Sequence, residues 1–193
     1  MNTINKYLET EPNLKKCVVS YLIDQKENKV LLIERLSSSN DLGVNKIAGI
    51  GGKLQQGETA DEALVRDVQE ETGLIITKFK EMGRVVFLFP NNTKWNQDVA
   101  VYVGTEWQGE PTESKESRPS WFPIDEIPFD RMFVDNKQWV PEVLKGKKVN
   151  AIFLYGKDHQ IIESRVEFTD LIFKFEHRNI VQGTPSSNLL SAW

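Results

Sequence analysis

The sequence predicts an α/β fold in which helices cover a mixed β-sheet, and three features of the chain indicate it. Apolar segments of strand length lie both before and after one strongly helical segment between Thr59 and Gly73. Short segments of turn composition separate the apolar segments, so most of the strands are expected to be antiparallel. Strands that flank a helix in this order are typical of proteins whose helices pack on a sheet.

The composition is that of an ordinary globular domain. Of the 193 residues, 27% are charged and 39% are hydrophobic, and the formal net charge is -4. This charge argues against a nucleic-acid polymer as partner, because non-specific affinity for polyphosphate depends on a basic surface. The sequence has no signal peptide, transit sequence or apolar segment of membrane length, so we expect a cytoplasmic protein that does not bind a membrane. Whether it is a monomer or a homodimer is left open.

The first part of the chain predicts a hairpin followed by a glycine-rich segment. Residues 1–13 are polar and predict a loosely held N-terminal lead. The apolar segments 16–23 and 29–34 flank a segment of turn composition, which predicts a β-hairpin. A loop rich in Ser and Asn at 37–45 is followed by a short strand and several glycines at 47–53, where the backbone can approach a ligand closely.

The part after the helical segment predicts the remaining strands. Apolar segments at 75–79, 83–89 and 98–104 indicate three strands, and those at 149–155 and 161–168 indicate a second hairpin that completes the sheet.

These elements predict one main domain at residues 14–168. A C-terminal extension at 169–193 follows it, with an apolar start and a polar linker. Packing on its own core, covering a subunit interface and lying near an active site all remain open for this extension.

Three carboxylates cluster on the predicted helix. At about 100° per residue, Asp67, Glu70 and Glu71 fall within an arc of roughly 100°, next to an apolar stripe that anchors the helix. Acids this close repel one another unless cations lie between them. Hard divalent cations, Mg²⁺ above all, are usually shared between a few carboxylates and substrate phosphates. An ordinary solvated helix face is the alternative for such a cluster taken alone.

The stretch around this helix resembles the Nudix box. The box consists of a Gly, a Glu, an Arg-Glu pair, an aliphatic residue, a Glu-Glu pair, a second Gly and a second aliphatic residue at fixed spacing. The matching residues are Gly52, Glu58, Arg66, Val68, Glu70, Glu71, Gly73 and Leu74. Only Asp67 departs, because the family has Glu at its position. The resemblance implies a Nudix fold, a three-layer α/β/α sandwich, and hydrolysis of a nucleoside diphosphate linked to another moiety, assisted by Mg²⁺ or Mn²⁺.

By motif position, the resemblance also implies the roles of the box residues. Glu70 and Glu71 would be metal ligands and catalytic residues, and Gly52 would lie at the metal. Asp67 would be an additional ligand or would orient the attacking water, although its side chain is one methylene shorter than the usual Glu.

The resemblance implies two further catalytic residues. Arg66 would orient a box carboxylate, Glu58 or Glu70, rather than a substrate phosphate. Glu116 matches a loop acid outside the box that assists metal binding or proton transfer; a solvated loop charge is the other interpretation.

Later segments are similar to the human-type MutT enzymes of the same family, which convert oxidised purine nucleoside triphosphates such as 8-oxo-dGTP to the monophosphate and pyrophosphate. The similarity lies in the order and spacing of residues 116–122, 127–129, 132–136 and 139–141. It implies a small nucleotide as substrate and a role in cleansing the nucleotide pool.

The same similarity implies the substrate-binding residues. Asp135 matches the first of two acids that hydrogen-bond the purine edge, Asn136 stands at the second, and Phe133 stands where a Trp stacks on the base. The remaining candidates are Arg35, Ala48, Gly51, Gly52, Lys53, Phe87 and Trp139.

Two positions at which the sequence departs from the human-type MutT pattern leave the identity of the substrate open. Human-type enzymes have an Asn that reads the base at the position of Ala48, and an alanine cannot hydrogen-bond a base edge. With Asn136 in place of an acid, a pyrimidine triphosphate, a nucleotide sugar or a dinucleotide is the alternative substrate. A non-catalytic module that binds a nucleotide is a further alternative, although the intact Glu70 and Glu71 argue against it.

Overall fold

A mixed sheet of eight strands runs through the protein, whose structure, a computed structural model, describes residues 3–36 and 43–170. The strands are β1 Lys15–Asp24, β2 Lys29–Arg35, β3 Ile47–Ala48, β4 Ile75–Leu88, β5 Gln97–Gln108, β6 Ser117–Pro123, β7 Lys147–Tyr155 and β8 Ile161–Asp170. Their order is β3-β2-β1-β5-β4-β7-β8, with β6 paired to β2. The pairs β1–β5 and β4–β7 are parallel and the other pairs are antiparallel, which confirms the predicted mixed sheet.

The described residues form three α-helices beside the sheet: α1 Thr3–Leu8, α2 Ala60–Thr72 and α3 Asn136–Leu144. The predicted bounds of α2 are confirmed by its caps. Thr59 Oγ1 accepts a hydrogen bond from the Glu62 backbone N–H, Glu62 Oε2 accepts one from the Thr59 N–H, and Gly73 ends the helix at a φ of 75°. Within the described ranges, none of the helices has the length and apolar character needed to span a membrane.

The helices cover both faces of the sheet, as the predicted three-layer sandwich requires. On β1, Val18 and Leu22 point to the face that packs against Leu64 of α2. The alternate residue Tyr21 points to the opposite face, where its ring meets Trp139 of α3 at a centroid distance of 5.9 Å. One strand therefore contributes to two separate apolar layers, because successive side chains alternate between faces.

The N-terminal lead is not loosely held, and this prediction is wrong for the described residues. Ile4 of α1 is fully buried against Val86 and Leu88 of β4, on the face that also carries α2. Glu163 Oε2 accepts a hydrogen bond from the Thr3 N–H at 2.9 Å and so fixes the start of α1. The apolar residues of this short helix recur at i, i+3 and i+4, a spacing that predicts an amphipathic helix. The polar overall composition of residues 1–13 hides this spacing.

Two further differences concern strands. The strands predicted at 75–79 and 83–89 form the single strand β4, which stays continuous through irregular pairing near Gly83. Gly83 has a φ of 113°, and a Cβ there would lie 1.9 Å from the Val149 carbonyl oxygen, so only glycine fits. β6 was not predicted because it contains Pro119 and Pro123, which an edge strand tolerates.

The predicted C-terminal extension lies outside the described residues, except that β8 continues to Asp170. The same holds for residues 37–42 of the predicted Ser/Asn-rich loop.

Candidate active site

Arg66 of α2 lies at the centre of the box carboxylates. Its Nε and Nη2 donate to the two oxygens of Glu58 at 2.7 and 2.8 Å, and these bonds hold the pKa of Glu58 down to about 2. Its Nη1 contacts Asp67 and lies 3.3 Å from Glu70, and Nη2 also donates to the Lys53 carbonyl at 3.2 Å. Arg66 therefore contacts Glu58 and Glu70, the two carboxylates that were predicted as its partners.

Asp67 carries a buried oxygen without a hydrogen-bond partner. The residue is 6% exposed. Its Oδ1 is bonded to Arg66, but its Oδ2 has no partner among the described residues. Burial raises the pKa of this carboxyl despite the opposing charge of Arg66. Because an unsatisfied buried oxygen is costly, its presence indicates a position for a cation.

Gly52 has no side chain to press against this oxygen. A Cβ at position 52 would lie 3.3 Å from Asp67 Oδ2 and 3.6 Å from Oδ1. A side chain there would therefore occupy the place from which a ligand approaches the carboxylate. That Gly52 lies at a metal stays a prediction.

Glu71, one helical turn after Asp67, contacts the preceding glycine, Gly51. Its Oε2 accepts a hydrogen bond from the Gly51 backbone N–H at 2.8 Å. Burial raises the pKa of Glu71 to about 7, against the lowering effects of this hydrogen bond and of Arg35. A carboxyl with this pKa is half protonated near neutral pH, and a cation beside it would displace the proton.

Glu116 is exposed and lies near Glu71 on a turn between two serines. Ser114 Oγ accepts hydrogen bonds from the N–H groups of Glu116 and Ser117 at 3.2 and 3.1 Å. Ser117 Oγ donates to the Glu71 carbonyl oxygen at 2.6 Å and so ties this turn to the end of α2. The negative charge of Glu116 contributes to the raised pKa of Glu71, as expected for neighbouring acids.

The acids fit a hard divalent cation but are not assembled around one. Asp67, Glu70 and Glu71 offer only oxygen donors, which Mg²⁺ prefers. Glu70 is 62% exposed at its side chain and is held only by Arg66. Among residues 3–36 and 43–170, no three Asp, Glu, His or Cys side chains stand in a metal-binding arrangement.

A cavity of about 640 Å³ opens on the opposite face of the sheet, beneath α3. Every residue predicted to bind substrate lines it: Arg35, Ala48, Gly51, Gly52, Lys53, Phe87, Phe133, Asp135, Asn136 and Trp139. Gly51 and Gly52 border both this cavity and the box acids. A Cβ at Gly51, whose φ is 151°, would lie 2.2 Å from the Val18 carbonyl oxygen, so this close approach requires glycine.

Asp135 is buried and held by three donors inside the protein. Trp139 Nε1 donates to its Oδ2 at 2.9 Å, Tyr155 Oη donates to its Oδ1 at 2.6 Å, and Asn136 Nδ2 donates to Oδ2 at 3.2 Å. Burial raises the pKa of Asp135 despite these hydrogen bonds. The residue predicted to read the base therefore also organises the start of α3.

Phe133 lies at the mouth of the cavity beside a cation. Lys46 Nζ is 5.8 Å from the centroid of its ring and 3.4 Å from the Met132 carbonyl oxygen. A cation over an aromatic face is favourable. This contact restrains the Phe133 ring at the wall of the cavity, and its stacking on a base stays a prediction.

Sequence reasoning missed several residues that line the cavity. The main ones are Cys17, Tyr21, Trp95, Gln97, Tyr155 and His159. Phe87 lies opposite Phe153 in the β4–β7 register, so Tyr155, two residues on, shares its face. The two strands that pair here are far apart in the sequence. The sequence shows how side chains alternate between faces within each strand, but not which strands pair.

The NUDIX domain family model matches residues 14–143, which is more than half of the chain. The chain belongs to the NUDIX domain family. The Nudix chain is 37% identical over 125 residues to the oxidized purine nucleoside triphosphate hydrolase of Danio rerio, covering 65% of this chain and 80% of the relative. It is 32% identical over 108 residues to the 8-oxo-dGTP diphosphatase of Escherichia coli (strain K12), covering 55% and 78%.

Its fold is similar to that of the MutT protein from Bacillus halodurans. The TM-score is 0.65 at 21% identity, over 80% of this chain and 98% of that protein. The predictions of the Nudix family, its fold and its hydrolase class are confirmed. Nudix hydrolases generally use a divalent metal, and the unsatisfied oxygen of Asp67 fits that requirement.

Proposed function

We propose that this Nudix hydrolase cleaves oxidised purine nucleoside triphosphates between the α and β phosphates, yielding the monophosphate and pyrophosphate. The observation that carries the proposal is the junction at Gly51–Gly52. There, an aromatic cavity large enough for a nucleotide meets the carboxylates of α2. The named activities of the relatives at 37% and 32% identity support the choice of substrate.

The phosphates are placed at the glycine end of the cavity. Arg35 and Lys53 line that end and supply positive charge, and the backbone of Gly51 and Gly52 permits close approach. The base then extends along the sheet towards Phe87 and α3. Aromatic rings there offer faces for stacking.

Asp67, Glu70 and Glu71 would hold the metal, with Mg²⁺ as the expected ion and Mn²⁺ as a possible substitute. Such an ion, when bound, supplies positive charge to the triphosphate and lowers the pKa of the attacking water. Arg66 fixes the orientation of Asp67 through its Nη1. Glu116, exposed near Glu71, would take a proton from that water.

Ala48 favours a second candidate, a Nudix hydrolase of another nucleoside diphosphate derivative. Ala48 lines the cavity without offering a hydrogen bond to a base edge. Asn136 donates its amide to Asp135 and lacks the negative charge of the acid it replaces. A pyrimidine triphosphate, a nucleotide sugar or a dinucleotide would then be the substrate. In either case the partner is a small nucleotide, as expected for a chain with a net charge of -4.

The test is a substrate panel with Mg²⁺ and, in parallel, Mn²⁺. It compares 8-oxo-dGTP, 2-oxo-dATP, the normal nucleoside triphosphates, ADP-ribose and nucleotide sugars, with products resolved by chromatography. An oxidised purine that exceeds the others at least about tenfold in kcat/KM, roughly 1.4 kcal/mol of transition-state preference, supports the proposal. Two monophosphates released from a sugar or dinucleotide substrate would instead establish the second candidate.

A further inference from the structure

The cavity beneath α3 adjoins a second space near the turn between β7 and β8. This outer recess has a volume of about 300 Å³. Its lining consists of Phe89, Asn91, Asn92, Trp95, Gly156, Lys157 and His159. Phe89, Trp95 and His159 line both spaces, so the outer recess adjoins the cavity.

A series of aromatic rings leads from the cavity into the outer recess. Tyr155 stacks on Phe89 at a centroid distance of 4.6 Å and an angle of 10°. Phe89 meets the edge of Trp95 at 5.7 Å, and Trp95 lies 5.3 Å from the ring of His159. His159 is exposed, so the series ends at the surface.

The outer recess lies at the end of the cavity away from the box. Gly51 and Gly52 lie beside β1, whereas Tyr155 ends β7. The glycine segment pairs with the edge of β1 that faces away from β5. The strands β1, β5 and β4 therefore separate it from β7, so these ends are four strand spacings apart, about 19 Å. A nucleotide with its phosphates at the glycines therefore directs the far edge of its base towards Trp95.

We propose that the outer recess is a subsite for a flat or apolar substituent on the base, so that purine nucleotides enlarged at this edge are also bound and hydrolysed. The inference rests on the proposed function, because it takes the position of the phosphates from it. Aromatic faces attract a further planar ring. Lys157 and the two asparagines at the rim supply polar groups where the substituent meets water.

The experiment compares a base with and without an added ring. Both kcat/KM for N6-benzyl-dATP against dATP and the dissociation constants of the two monophosphates are measured with Mg²⁺. We expect the wild-type protein to bind the benzylated monophosphate more tightly than dAMP. We expect Trp95→Ala to lower this preference about fivefold, the change that corresponds to an aromatic contact of about 1 kcal/mol.

Three variants serve as controls. Trp95→Phe retains an aromatic face and should restore most of the preference. His159→Asn removes the outer ring while keeping a residue that tolerates the φ of 56° found there, so it should lower the preference as well. Trp107→Ala removes a tryptophan that packs on Trp121 on the α2 face and should leave the preference unchanged.

An unchanged preference in Trp95→Ala, or no binding of the benzylated monophosphate by the wild-type protein, overturns the proposal. Hydrolysis of 8-oxo-dGTP by the same preparations distinguishes the two possible failures. If 8-oxo-dGTP is hydrolysed and the preference is absent, only the outer subsite is rejected. If 8-oxo-dGTP is not hydrolysed, the proposed function fails, and the monophosphate affinities still decide on the subsite.

Discussion

The backbone N–H of Gly51 donates a hydrogen bond to Oε2 of Glu71 at 2.8 Å, and this bond joins the two halves of the candidate site. Gly51 lines the cavity on the α3 face of the sheet, whereas Glu71 belongs to α2 on the opposite face. In the proposed function, a bound nucleotide would reach the carboxylates at this glycine segment. Variants of residues on the two sides of this bond allow effects on catalysis, stability and substrate binding to be measured separately.

Glu71→Gln is expected to reduce turnover by at least about 100-fold, because it removes a charged ligand from a site whose metal contributes several kcal/mol. The fold should be retained, since the amide oxygen can still accept the Gly51 hydrogen bond. Pyrophosphate release with saturating Mg²⁺ is the measurement. Glu106→Gln, an exposed acid paired with Lys78, is the matched control and should be fully active. Near-normal activity of Glu71→Gln would exclude our assignment of the catalytic centre.

The metal-free protein is expected to lose stability as the pH rises from about 4.5 to about 7. The pKa of Glu71 is 4.5 when unperturbed and about 7 in the fold, so the native state holds more protons than the unfolded state in this interval. The free energy of unfolding therefore falls with rising pH, by an amount of order 1–3 kcal/mol. Asp67, whose pKa is also raised, acts in the same direction.

Urea denaturation in a chelator at pH 5 and pH 8 measures this loss. Glu71→Gln should remove most of it. Glu58, with its pKa of about 2, titrates below this interval and does not contribute. Added Mg²⁺ should stabilise the protein more at pH 8 than at pH 5, because it binds the deprotonated carboxylates. A free energy of unfolding that rises between pH 5 and pH 8 in chelator would contradict the prediction.

Gly52→Ala is expected to weaken metal binding while leaving the fold intact. The new methyl group would lie 3.3 Å from Asp67 Oδ2, in the space in front of that oxygen. We expect the Mg²⁺ concentration needed for half-maximal activity to rise about tenfold, the low end for a disturbed ligand environment. Mn²⁺ binding followed by electron paramagnetic resonance provides a second readout that does not depend on turnover. If neither value changes, the metal does not approach Asp67 from the side of Gly52.

Asp135→Asn is expected to destabilise the protein by about 1–3 kcal/mol, because an amide cannot accept from all three donors that meet the carboxylate. Tyr155→Phe, which removes only the donor at 2.6 Å, should cost less. Thermal unfolding measures both. If Asp135 also reads the base, its loss lowers kcat/KM for 8-oxo-dGTP more than for dCTP. Equal losses for the two nucleotides would leave Asp135 with a structural role alone.

Ile4→Ala is expected to lower the free energy of unfolding by about 2–4 kcal/mol, since Ile4 is fully buried between α1 and β4. Lys6→Ala, on the exposed side of the same helix, should have almost no effect. Chemical denaturation of both variants provides the comparison. A negligible effect of Ile4→Ala would restore the prediction that the N-terminal segment is loosely held.

The sequence predicted the elements whose signals are local. The caps of α2, at Thr59 and Gly73, and the two hairpins follow from neighbouring residues, and so does the spacing of the box. The continuity of β4 and the strand β6 depend instead on partners far along the chain. Gly83, for example, is needed because Val149 lies behind it.

In the candidate site, too, the residues with local signals were predicted and those that depend on distant partners were not. The acids of α2 were found because they share one helix, and the cavity residues were found because their order resembles that of a family. Tyr155 and Ser117 were missed, since each contacts its partner, Asp135 or Glu71, across a long stretch of sequence. A tyrosine or a serine does not by itself indicate a functional site. Only the folded arrangement shows that they hold the residues that were predicted.

The location of the acids and the cavity on opposite faces of one sheet has an evolutionary consequence. Gly51 and Gly52 connect the two faces, and both are constrained by contacts with Val18 and Asp67. Substitutions around α3 or in the β7–β8 turn can therefore alter which base is accepted without disturbing the hydrolytic machinery. In such an architecture, new substrates are acquired by remodelling one face while the reaction is inherited unchanged on the other.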